Sequence, residues 1–299
     1  MIDTLPRSGV LCVGRLYCDL IFVDVPRLPT LGTETFAGGL EIHAGGGAYI
    51  TSAWLASLGQ SASLVSFLPP PPFREQIVDE ISRAGVDLSL SAGMAEGQAP
   101  QLTVSISTKG DRAMLTHQPG PSIPDLTAQD LRSAGVHHVH IGELTTLMER
   151  PELVKAARDA GATVSLDCGW DDRVATKGVA SLLGKIDVFL PNASEAEALR
   201  KAGVSLDGPG LTVIKCGADG ATAAVGTRAL RVRAPKVVNV DPTGAGDAFN
   251  AGFLVAWLAG QDTEACLKAG NAAGARAVSG CGGFPSKFAP ELAEEIVTH

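Results

Sequence analysis

The segment DPTGAGDAFNAGF, residues 241–253, joins a glycine-rich loop to an apolar helical pattern. Glycines at 244 and 246 remove side chains where the helix begins, so backbone N–H groups lie bare at the positive end of the helix dipole and form an anion pocket. A carboxylate at Asp247 would repel a phosphate bound there unless the site needs a proton acceptor. Two interpretations follow: a helix N-terminus stabilised by an acidic residue, or a phosphoryl-transfer site in which Asp247 takes a hydroxyl proton.

Outside this segment, short β-branched stretches alternate with helical stretches along most of the chain. The predicted strands cover residues 10–13, 63–67, 136–141, 163–167, 188–191, 211–215 and 222–225. The predicted helices cover residues 48–58, 73–84, 127–133, 151–160, 194–202, 245–259 and 263–279. This alternation is typical of an α/β fold in which helices cover both faces of a mostly parallel sheet.

Two regions, about 17–42 and 100–118, interrupt the alternation. Both have the pattern of paired strands without a helix between them, so neither forms a strand–helix–strand crossover. Together they predict a small second sheet, which in an α/β enzyme often serves as a lid over the substrate. We therefore expect residues 1–299 to form a single domain that carries one lid. Four successive prolines, 69–72, are expected in a loop between a strand and a helix.

Composition and charge exclude several classes of function. Of the 299 residues, 24 are lysine or arginine and 32 are aspartate or glutamate, which gives a net charge of −8. A nucleic-acid binder is expected to carry a basic stripe, and the sequence has no basic run. The longest apolar runs are far shorter than the ~18 residues of a membrane span. Six cysteines without a CxxC pair, and an N-terminus without a signal-peptide pattern, lead us to expect a cytoplasmic protein.

The common nucleotide motifs GxxxxGK[ST] and GxGxxG after a strand do not occur in the sequence. Residues 241–253 instead resemble the C-terminal signature of the ribokinase-like (PfkB) carbohydrate kinases. The glycine triplet 45–47 with its following helix, the Asn-x-x-Glu pattern at 192–195 and the strand and turn at 213–221 match the same family in order. The resemblance covers about residues 10–280. It implies a three-layer α/β/α ribokinase-like sandwich with a mostly parallel central sheet and a small β-sheet lid.

The resemblance implies an ATP-dependent kinase that phosphorylates a hydroxymethyl group of a sugar or sugar-like small molecule. Asp247 would be the general base, for which a carboxylate with an ordinary or depressed pKa is sufficient, because proton transfer can come late in a loose transition state. Four backbone amides would form the anion hole for the transferring phosphoryl group: those of Gly244, Ala245, Gly246 and Asp247.

On the nucleotide side, the resemblance implies that Asn192 and Glu195 lie near the triphosphate and its Mg²⁺. Glu195 would act through metal-bound water, as suits a hard cation that keeps its hydration shell. Lys215 and Gly217 would line the ATP site, and Asn271 would approach the adenine.

A monovalent cation is implied near the same loop. Asp241 and Thr243 match the position at which family members bind such an ion, here K⁺. The remaining ligands would be backbone carbonyls near the C-terminus, which the sequence does not place.

The acceptor side departs from the family pattern. Asp19 matches the family's sugar-binding acid, since a carboxylate can accept two hydroxyls; the alternative is an exposed acid on an edge strand. Bare backbone would let a polyol approach closely at three successive glycines: Gly45, Gly46 and Gly47. Ile50 stands where the family commonly has a sugar-binding Asn. Because Ile50 cannot hydrogen-bond a hydroxyl, a less polar acceptor or a different orientation is indicated.

Three alternatives to a sugar kinase stay open. A nucleoside kinase is favoured by Tyr49 and Ile50, whose apolar wall could stack with a base. A phosphosugar kinase is favoured by Lys109 and Arg112, which could neutralise a phosphate on the acceptor. A non-catalytic sugar-binding protein could keep the fold and lose the activity. In every case we expect a small-molecule ligand, no nucleic-acid or membrane partner, and a homodimer formed through the lid.

Overall fold

The computed structural model describes residues 9–95, 97–108, 112–169, 178–225, 228–238 and 241–279. The strands are β1 Gly9–Val13, β2 Tyr17–Val23, β3 Gly39–Gly45, β4 Ala62–Val65, β5 Phe67–Leu68, β6 Ala92–Gly93, β7 Leu102–Ser107, β8 Arg112–His117, β9 Val136–Ile141, β10 Thr163–Leu166, β11 Val188–Phe189, β12 Leu211–Lys215, β13 Ala221–Val225 and β14 Arg228–Val232. The helices are α1 Gly47–Ser57, α2 Arg74–Arg83, α3 Ala128–Ser133, α4 Leu144–Glu149, α5 Glu152–Asp159, α6 Val179–Leu183, α7 Ala193–Lys201, α8 Ala245–Leu258 and α9 Thr263–Val278.

Eight strands form the main sheet in the order β14-β13-β12-β11-β10-β9-β1-β4. The six neighbouring strands β4-β1-β9-β10-β11-β12 pair parallel with one another, whereas β13 pairs antiparallel with both β12 and β14. Parallel neighbours need a crossover, and the helices of the chain provide it. The predicted mostly parallel sheet is therefore confirmed.

Successive residues of β1 show why helices cover both faces of this sheet. Val10 and Cys12 are fully buried in one apolar cluster, together with side chains of α1, α2, α8 and α9. Leu11 and Val13 are fully buried in a second cluster, with side chains of α3 to α7. Because alternate strand residues point to opposite faces, a strand that is apolar at every position must be covered on both sides.

Helices α8 and α9 pack closely through a small residue. A Cβ atom at Gly252 would lie 2.6 Å from the carbonyl oxygen of Ala269, so only glycine fits at this crossing. Elsewhere on α8, the rings of Phe249 and Phe253 stack with centroids 6.2 Å apart. This packing fixes the helix whose first turn carries Asp247. Within the described residues, none of the helices has the length and hydropathy needed to cross a bilayer.

The two regions that lacked helical patterns form a second, four-stranded sheet in the order β3-β2-β7-β8. Strand β2 pairs antiparallel with β3 and parallel with β7, and β7 pairs antiparallel with β8. The predicted paired strands are thus present, and we call this sheet the lid sheet. Asp19 lies on β2, which is an interior strand, so its interpretation as an exposed acid on an edge strand is wrong.

Arg15 fastens the lid sheet to the body of the protein. It follows β1, is 2% exposed, and donates to Gln101 Oε1 at 3.2 Å, just before β7, and to the carbonyl of Gly120 at 3.0 Å, just after β8. Its guanidinium also pairs with Glu149 at the end of α4 at 2.5 Å. One buried cation therefore holds the connections to β2, β7 and β8.

Several element boundaries differ from those predicted. The strand expected over 63–67 ends at Val65, because the amide of Ser66 donates to Ser91 Oγ rather than to a neighbouring strand. Helices α4 and α6 and strand β14 are short elements that the sequence patterns did not show. The prolines 69–72 lie between β5 and α2, in the predicted loop.

Candidate active site

A cavity of about 730 Å³ opens between the carboxyl ends of the parallel strands and the lid sheet. This is the edge at which open α/β sheets bind ligands. Residues predicted from the sequence that line it are Gly47, Asn192, Glu195, Lys215, Gly217, Gly246 and Asp247. The other lining residues were not singled out from the sequence: Tyr17, Thr116, Gln118, Gly142, Glu143, Thr145, Asp167 and Gly169.

Asp247 lies in the first turn of α8, at the floor of this cavity. Gly244 precedes the helix as its N-cap with φ +70°, a left-handed conformation that glycine adopts without strain. Ala245 and Gly246 then begin the helix, so the amides of residues 244–247 belong to the end of α8 at which helix N–H groups have no intrahelical partner. Gly246 and Asp247 therefore lie in the first turn of α8 and line the cavity, and the anion hole formed by the four amides stays a prediction.

The carboxylate of Asp247 is in an environment that disfavours its charge. Burial raises its pKa to about 8, and the neighbouring carboxylates of Asp167, Glu143 and Glu195 act in the same direction, while the ammonium of Lys215 opposes them. Without a ligand, the pKa of Asp247 is therefore higher than the ordinary or depressed value that we expected to be sufficient for a general base. A base poised near neutral pH is well matched to proton transfer.

Lys215 lies at the end of β12 and is held by two side chains. Its ammonium donates to Asp167 Oδ1 at 2.9 Å and Oδ2 at 2.8 Å, and to Asn250 Oδ1 at 3.1 Å. Asn250 Nδ2 in turn donates to Asp167 Oδ2 at 2.6 Å. Burial alone would lower the pKa of Lys215, but the carboxylates of Asp167 and Glu195 outweigh it and raise the pKa, so the ammonium stays charged.

Asn192 and Glu195 form the N-terminal cap of α7. Asn192 Oδ1 accepts from the Glu195 amide at 2.9 Å, and Glu195 Oε2 accepts from the Asn192 amide at 2.7 Å. This reciprocal pair is a capping box, which satisfies two N–H groups that a helix start leaves free. The Asn-x-x-Glu pattern thus has a local structural role, and both residues also line the cavity. Their contact with a triphosphate and Mg²⁺ stays a prediction.

The glycine triplet makes close contacts that admit no side chain. A Cβ at Gly45 would lie 2.0 Å from Asp19 Oδ2, and one at Gly46, where φ is +104°, would lie 2.2 Å from the carbonyl oxygen of Arg15. Gly47 begins α1 and faces Asp247 across the cavity floor. Of the described residues, Gly47 lines the cavity, whereas Asp19, Gly45, Gly46 and Ile50 do not.

Ile50 and Tyr49 are turned into the core. Tyr49 is 1% exposed and Ile50 is 9% exposed, and both belong to the apolar cluster under α1 and α8. Neither side chain offers a wall to the cavity in this structure. The stacking surface that suggested a nucleoside acceptor is therefore not formed by these two residues.

The lid sheet contributes polar groups to the cavity. Tyr17 on β2, Thr116 on β8 and Gln118 after β8 line it, and Gln118 Nε2 donates to the Tyr17 hydroxyl at 2.9 Å. Glu143, from the body of the protein, also lines the cavity and accepts a hydrogen bond from the Arg15 amide at 2.9 Å. Burial raises the pKa of Glu143. These hydroxyl, amide and carboxyl groups could bind an acceptor rich in hydroxyls.

Three predicted positions lie away from the cavity. Asp241 Oδ1 accepts from the Thr243 amide at 2.8 Å, which closes the turn before α8. The sequence does not place the C-terminal carbonyls expected to complete a K⁺ site, and the residues after 279 lie outside the described residues. Asn271 is 5% exposed, and its Nδ2 donates to the carbonyl of Val232 at 3.0 Å. Contact of Asn271 with adenine stays a prediction, as does the cation at Asp241 and Thr243.

Two carboxylates that line the cavity and were not predicted from the sequence share one feature, their position after a parallel strand. Glu143 follows β9 by two positions, and Asp167 follows β10 directly. Polar residues directly after parallel strands collect at one edge of the sheet, which is the ligand-binding edge. Applied to the observed strands, this rule finds both carboxylates, whereas the strand predicted over 163–167 included Asp167 as its last residue. Lys109, one of the two cations that suggested a phosphosugar, lies outside the described residues, as does the side chain of Arg112.

Comparison with known proteins agrees with this geometry. The family model of the pfkB family carbohydrate kinases matches residues 7–286. An ATP-dependent ribose-1-phosphate kinase of Halopiger xanaduensis is 29% identical over 276 residues, which cover 89% of this chain and 90% of that protein. A nucleoside kinase of Methanothermobacter thermautotrophicus is 24% identical, with 86% and 85% covered. The crystal structure of an uncharacterized sugar kinase from Pyrococcus horikoshii in complex with ATP has a TM-score of 0.79 at 22% identity, with 96% and 99% covered.

The chain belongs to the pfkB family of carbohydrate kinases. The predicted family, the three-layer fold class and the assignment of the chain as a kinase are therefore confirmed.

Proposed function

We propose that this protein transfers the terminal phosphoryl group of ATP to a hydroxymethyl group of a sugar or sugar-like small molecule. The observation that carries the proposal is the position of Asp247, in the first turn of α8 and on the floor of a cavity that polar residues line. In the reaction the terminal P–O bond of ATP breaks, a bond forms between phosphorus and the acceptor oxygen, and ADP leaves. The hydroxyl proton of the acceptor passes to Asp247.

The first turn of α8 suits the transferring group. The amides of Gly244, Gly246 and Asp247 at the helix N-terminus favour negative charge, whereas the Ala245 amide donates to the Pro242 carbonyl at 3.3 Å and would have to exchange that hydrogen bond for a phosphoryl oxygen. Gly246 leaves the cavity side of this turn without a side chain. The backbone can therefore approach the phosphoryl oxygens closely.

The cavity also has the donor chemistry that a hydrated Mg²⁺ prefers. Asp167, Glu195 and Asp247 bring carboxylate oxygens, and Asn192 brings an amide oxygen. Mg²⁺ takes oxygen ligands, dehydrates reluctantly, and is usually bound by one or two carboxylates together with phosphate oxygens. We propose that Glu195 faces the metal through water, and that the ion neutralises charge on the phosphates. We also propose that K⁺ binds near Asp241 and Thr243.

A neutral polyol fits the acceptor side of the cavity best. Tyr17, Thr116 and Gln118 from the lid sheet, with Glu143 and Thr145 from the body, offer hydroxyl, amide and carboxyl groups. Because lid and body both contribute, closing the lid would complete the site and exclude water that could otherwise hydrolyse ATP. Asp19, on β2, would reach the acceptor only if the lid sheet moved, whereas Ile50 lies on α1 in the core and is not part of the lid sheet.

One assay tests this function. ADP release is measured with a panel of free sugars, sugar acids, phosphosugars and nucleosides, each with and without K⁺. We expect free sugars or related polyols to give the highest kcat/KM. Turnover confined to nucleosides or to phosphosugars would show that the acceptor class is wrong. ATP binding without turnover on any acceptor would indicate a binding protein and contradict the kinase proposal.

The lid sheet is also proposed to pair with the lid sheet of a second copy. Its strands and the β2–β3 connection expose large apolar side chains, which on a monomer would be costly to leave in water: Leu31, Phe36, Leu40, Met114 and Leu115. Sedimentation of the wild-type protein should give a dimer, and Leu115→Glu should give a monomer. A wild-type monomer at micromolar concentration would contradict this pairing.

A further inference from the structure

A buried amide joins the two charged side chains beside α8. Asn250 is fully buried in the second turn of this helix; its Oδ1 accepts from Lys215 and its Nδ2 donates to Asp167. The amide can satisfy both neighbours in one orientation only, because the reversed orientation would set its NH₂ against the ammonium and its oxygen against the carboxylate. Asn250 therefore fixes the relative position of Lys215 and Asp167.

The ammonium held in this way lies against the proposed phosphoryl site. A Cβ placed on Gly246 would be 3.4 Å from Lys215 Nζ, so the cation reaches the cavity side of the first turn of α8. Gly246 is one of the residues whose amides are proposed to bind the transferring group. Lys215 thus lies beside the part of α8 that is proposed to bind the transferring phosphoryl group.

The charges around the cavity make this cation important. Among the described residues that line the cavity, Lys215 is the one cation. Four of these residues carry carboxylates: Glu143, Asp167, Glu195 and Asp247. Phosphoryl transfer moves a group that bears negative charge on its oxygens, and a fixed cation stabilises that charge in a cavity with little water. An ammonium that stayed mobile would be drawn to any of the four carboxylates.

We propose that Asn250 is a positioning residue that, with Asp167, holds the Lys215 ammonium at the amino end of α8, where Lys215 contacts the phosphoryl group being transferred. This inference rests on the proposed function and deepens it, since it assigns a catalytic contact to Lys215 and a role to a residue that does not itself touch substrate. The effect of Asn250 then depends on the presence of Lys215.

A double-mutant cycle tests that dependence. Lys215→Met should lower kcat by roughly 10²–10³-fold, as the loss of one electrostatic donor does. Asn250→Leu, which keeps the volume and removes both hydrogen bonds, should lower kcat roughly ten-fold and leave KM for the acceptor within about two-fold. In the Lys215→Met protein, Asn250→Leu should cost less than about two-fold more. An equal cost in both backgrounds would overturn the proposal.

An exchange of charge gives a second test that does not depend on the leucine variant folding. Asn250→Asp alone places two carboxylates on the ammonium and should reduce kcat. Adding Asp167→Asn gives a double variant that again has one carboxylate, one amide and one ammonium, with the carboxylate and the amide exchanged between positions 167 and 250. The amide introduced at position 167 can accept from Cys168 and Lys215 through its oxygen and donate to the carboxylate introduced at position 250, but its NH₂ replaces the oxygen that lies 2.8 Å from the Lys215 ammonium. We therefore expect the double variant to regain part of the lost kcat. A double variant no better than Asn250→Asp would contradict the positioning role.

Binding of inorganic tripolyphosphate, measured by calorimetry on the same proteins, separates this inference from the proposed function. Asn250→Leu should weaken binding several-fold in the wild-type background and leave it unchanged in Lys215→Met. Leu254→Ala, a fully buried change in the same helix, controls for lost packing and should not alter tripolyphosphate affinity. If no acceptor is phosphorylated, the proposed function fails while this cycle still reports on Lys215. Equal affinities for wild type and Asn250→Leu would overturn the inference.

Discussion

Gly47 and Asp247 face each other across the floor of the cavity, so close that a methyl group on Gly47 would lie 3.0 Å from Asp247 Oδ1. The two residues are 200 positions apart and stand in the first turns of α1 and α8. The hydrogen side chain of Gly47 therefore leaves the space beside the carboxylate in which an acceptor hydroxyl can sit.

Gly47→Ala should therefore impair activity without impairing the fold. Alanine favours a helix over glycine by up to about 1 kcal/mol, but the added methyl would also lie 3.2 Å from the carbonyl oxygen of Gly142, so the melting temperature should stay within a few degrees of that of the wild type. The added methyl displaces Asp247 or the acceptor, and we expect kcat/KM to fall at least ten-fold, since small misplacements of reacting groups are costly. Gly184→Ala, where the nearest atom is 3.7 Å away, is the matched control and should leave activity unchanged. Normal kinetics in Gly47→Ala would show that the gap does not matter.

The pH dependence should report the base. The deprotonated carboxylate is the form that accepts a proton, and burial raises the pKa of Asp247 to about 8. The kcat/KM of the free enzyme should therefore rise as pH increases from 6 through 8 and level off only above about pH 9. A kcat/KM that is flat from pH 6 to 8.5, at saturating Mg²⁺, would contradict the raised pKa.

The contact between β3 and α2 should weaken in alkali. His43 Nδ1 lies 3.5 Å from Glu80 Oε2, and the hydrogen bond to Glu80 raises the pKa of His43 to about 8, although partial burial opposes it. A raised folded-state pKa stabilises the protein fully below the unfolded pKa of about 6.5, and the gain is lost as pH rises through about 8.

Glu80→Gln removes that ion pair. Because His43 is half-exposed, we expect a fall in melting temperature of only about 1–2 °C at pH 6 and no fall at pH 9.5. Glu197→Gln, in an exposed pair with Lys201, is the control and should show no such pH dependence. A Glu80→Gln effect that is the same at both pH values would disprove the linkage to His43.

Arg15 should matter more for stability than other arginines that form ion pairs. Arg15→Met would leave Gln101 Oε1 and the Gly120 carbonyl without their donor, and would leave Glu149 without its cation. We expect the free energy of unfolding to fall by roughly 2–4 kcal/mol. Arg158→Met, which breaks a more exposed pair with Asp187, should cost about 0–1 kcal/mol. Equal losses in urea titrations of the two variants would refute the fastening role of Arg15.

Much of the main sheet could be predicted because its strands are apolar at successive positions. β1 is buried at every residue, and that pattern needs no tertiary information. The short helices α4 and α6 could not be predicted, because six or five residues show little periodicity and neither helix has a side-chain N-cap. The equally short α3 was predicted, and Thr127 and Asp130 form a capping box at its start.

The candidate site was predicted where a motif lies within one stretch of chain, as at residues 241–253. The site was not predicted where side chains from separate strands and helices meet. Asp167 and Asn250 are 83 positions apart, and no spacing rule shows that their side chains hydrogen-bond. Asn192 and Glu195 show a further limit, because the same pattern serves as a helix cap and as a proposed phosphate site.

The proposed reaction depends on Asp247 as the acceptor of the hydroxyl proton, and the kinetics of Asp247→Asn test that role. The asparagine keeps the shape of the side chain and cannot accept that proton. With the best acceptor of the panel, we expect kcat to fall by roughly 10²–10⁴-fold, while ATP affinity and the circular dichroism spectrum stay as in the wild type. A folded Asp247→Asn protein that keeps most of its phosphoryl-transfer rate would contradict the account.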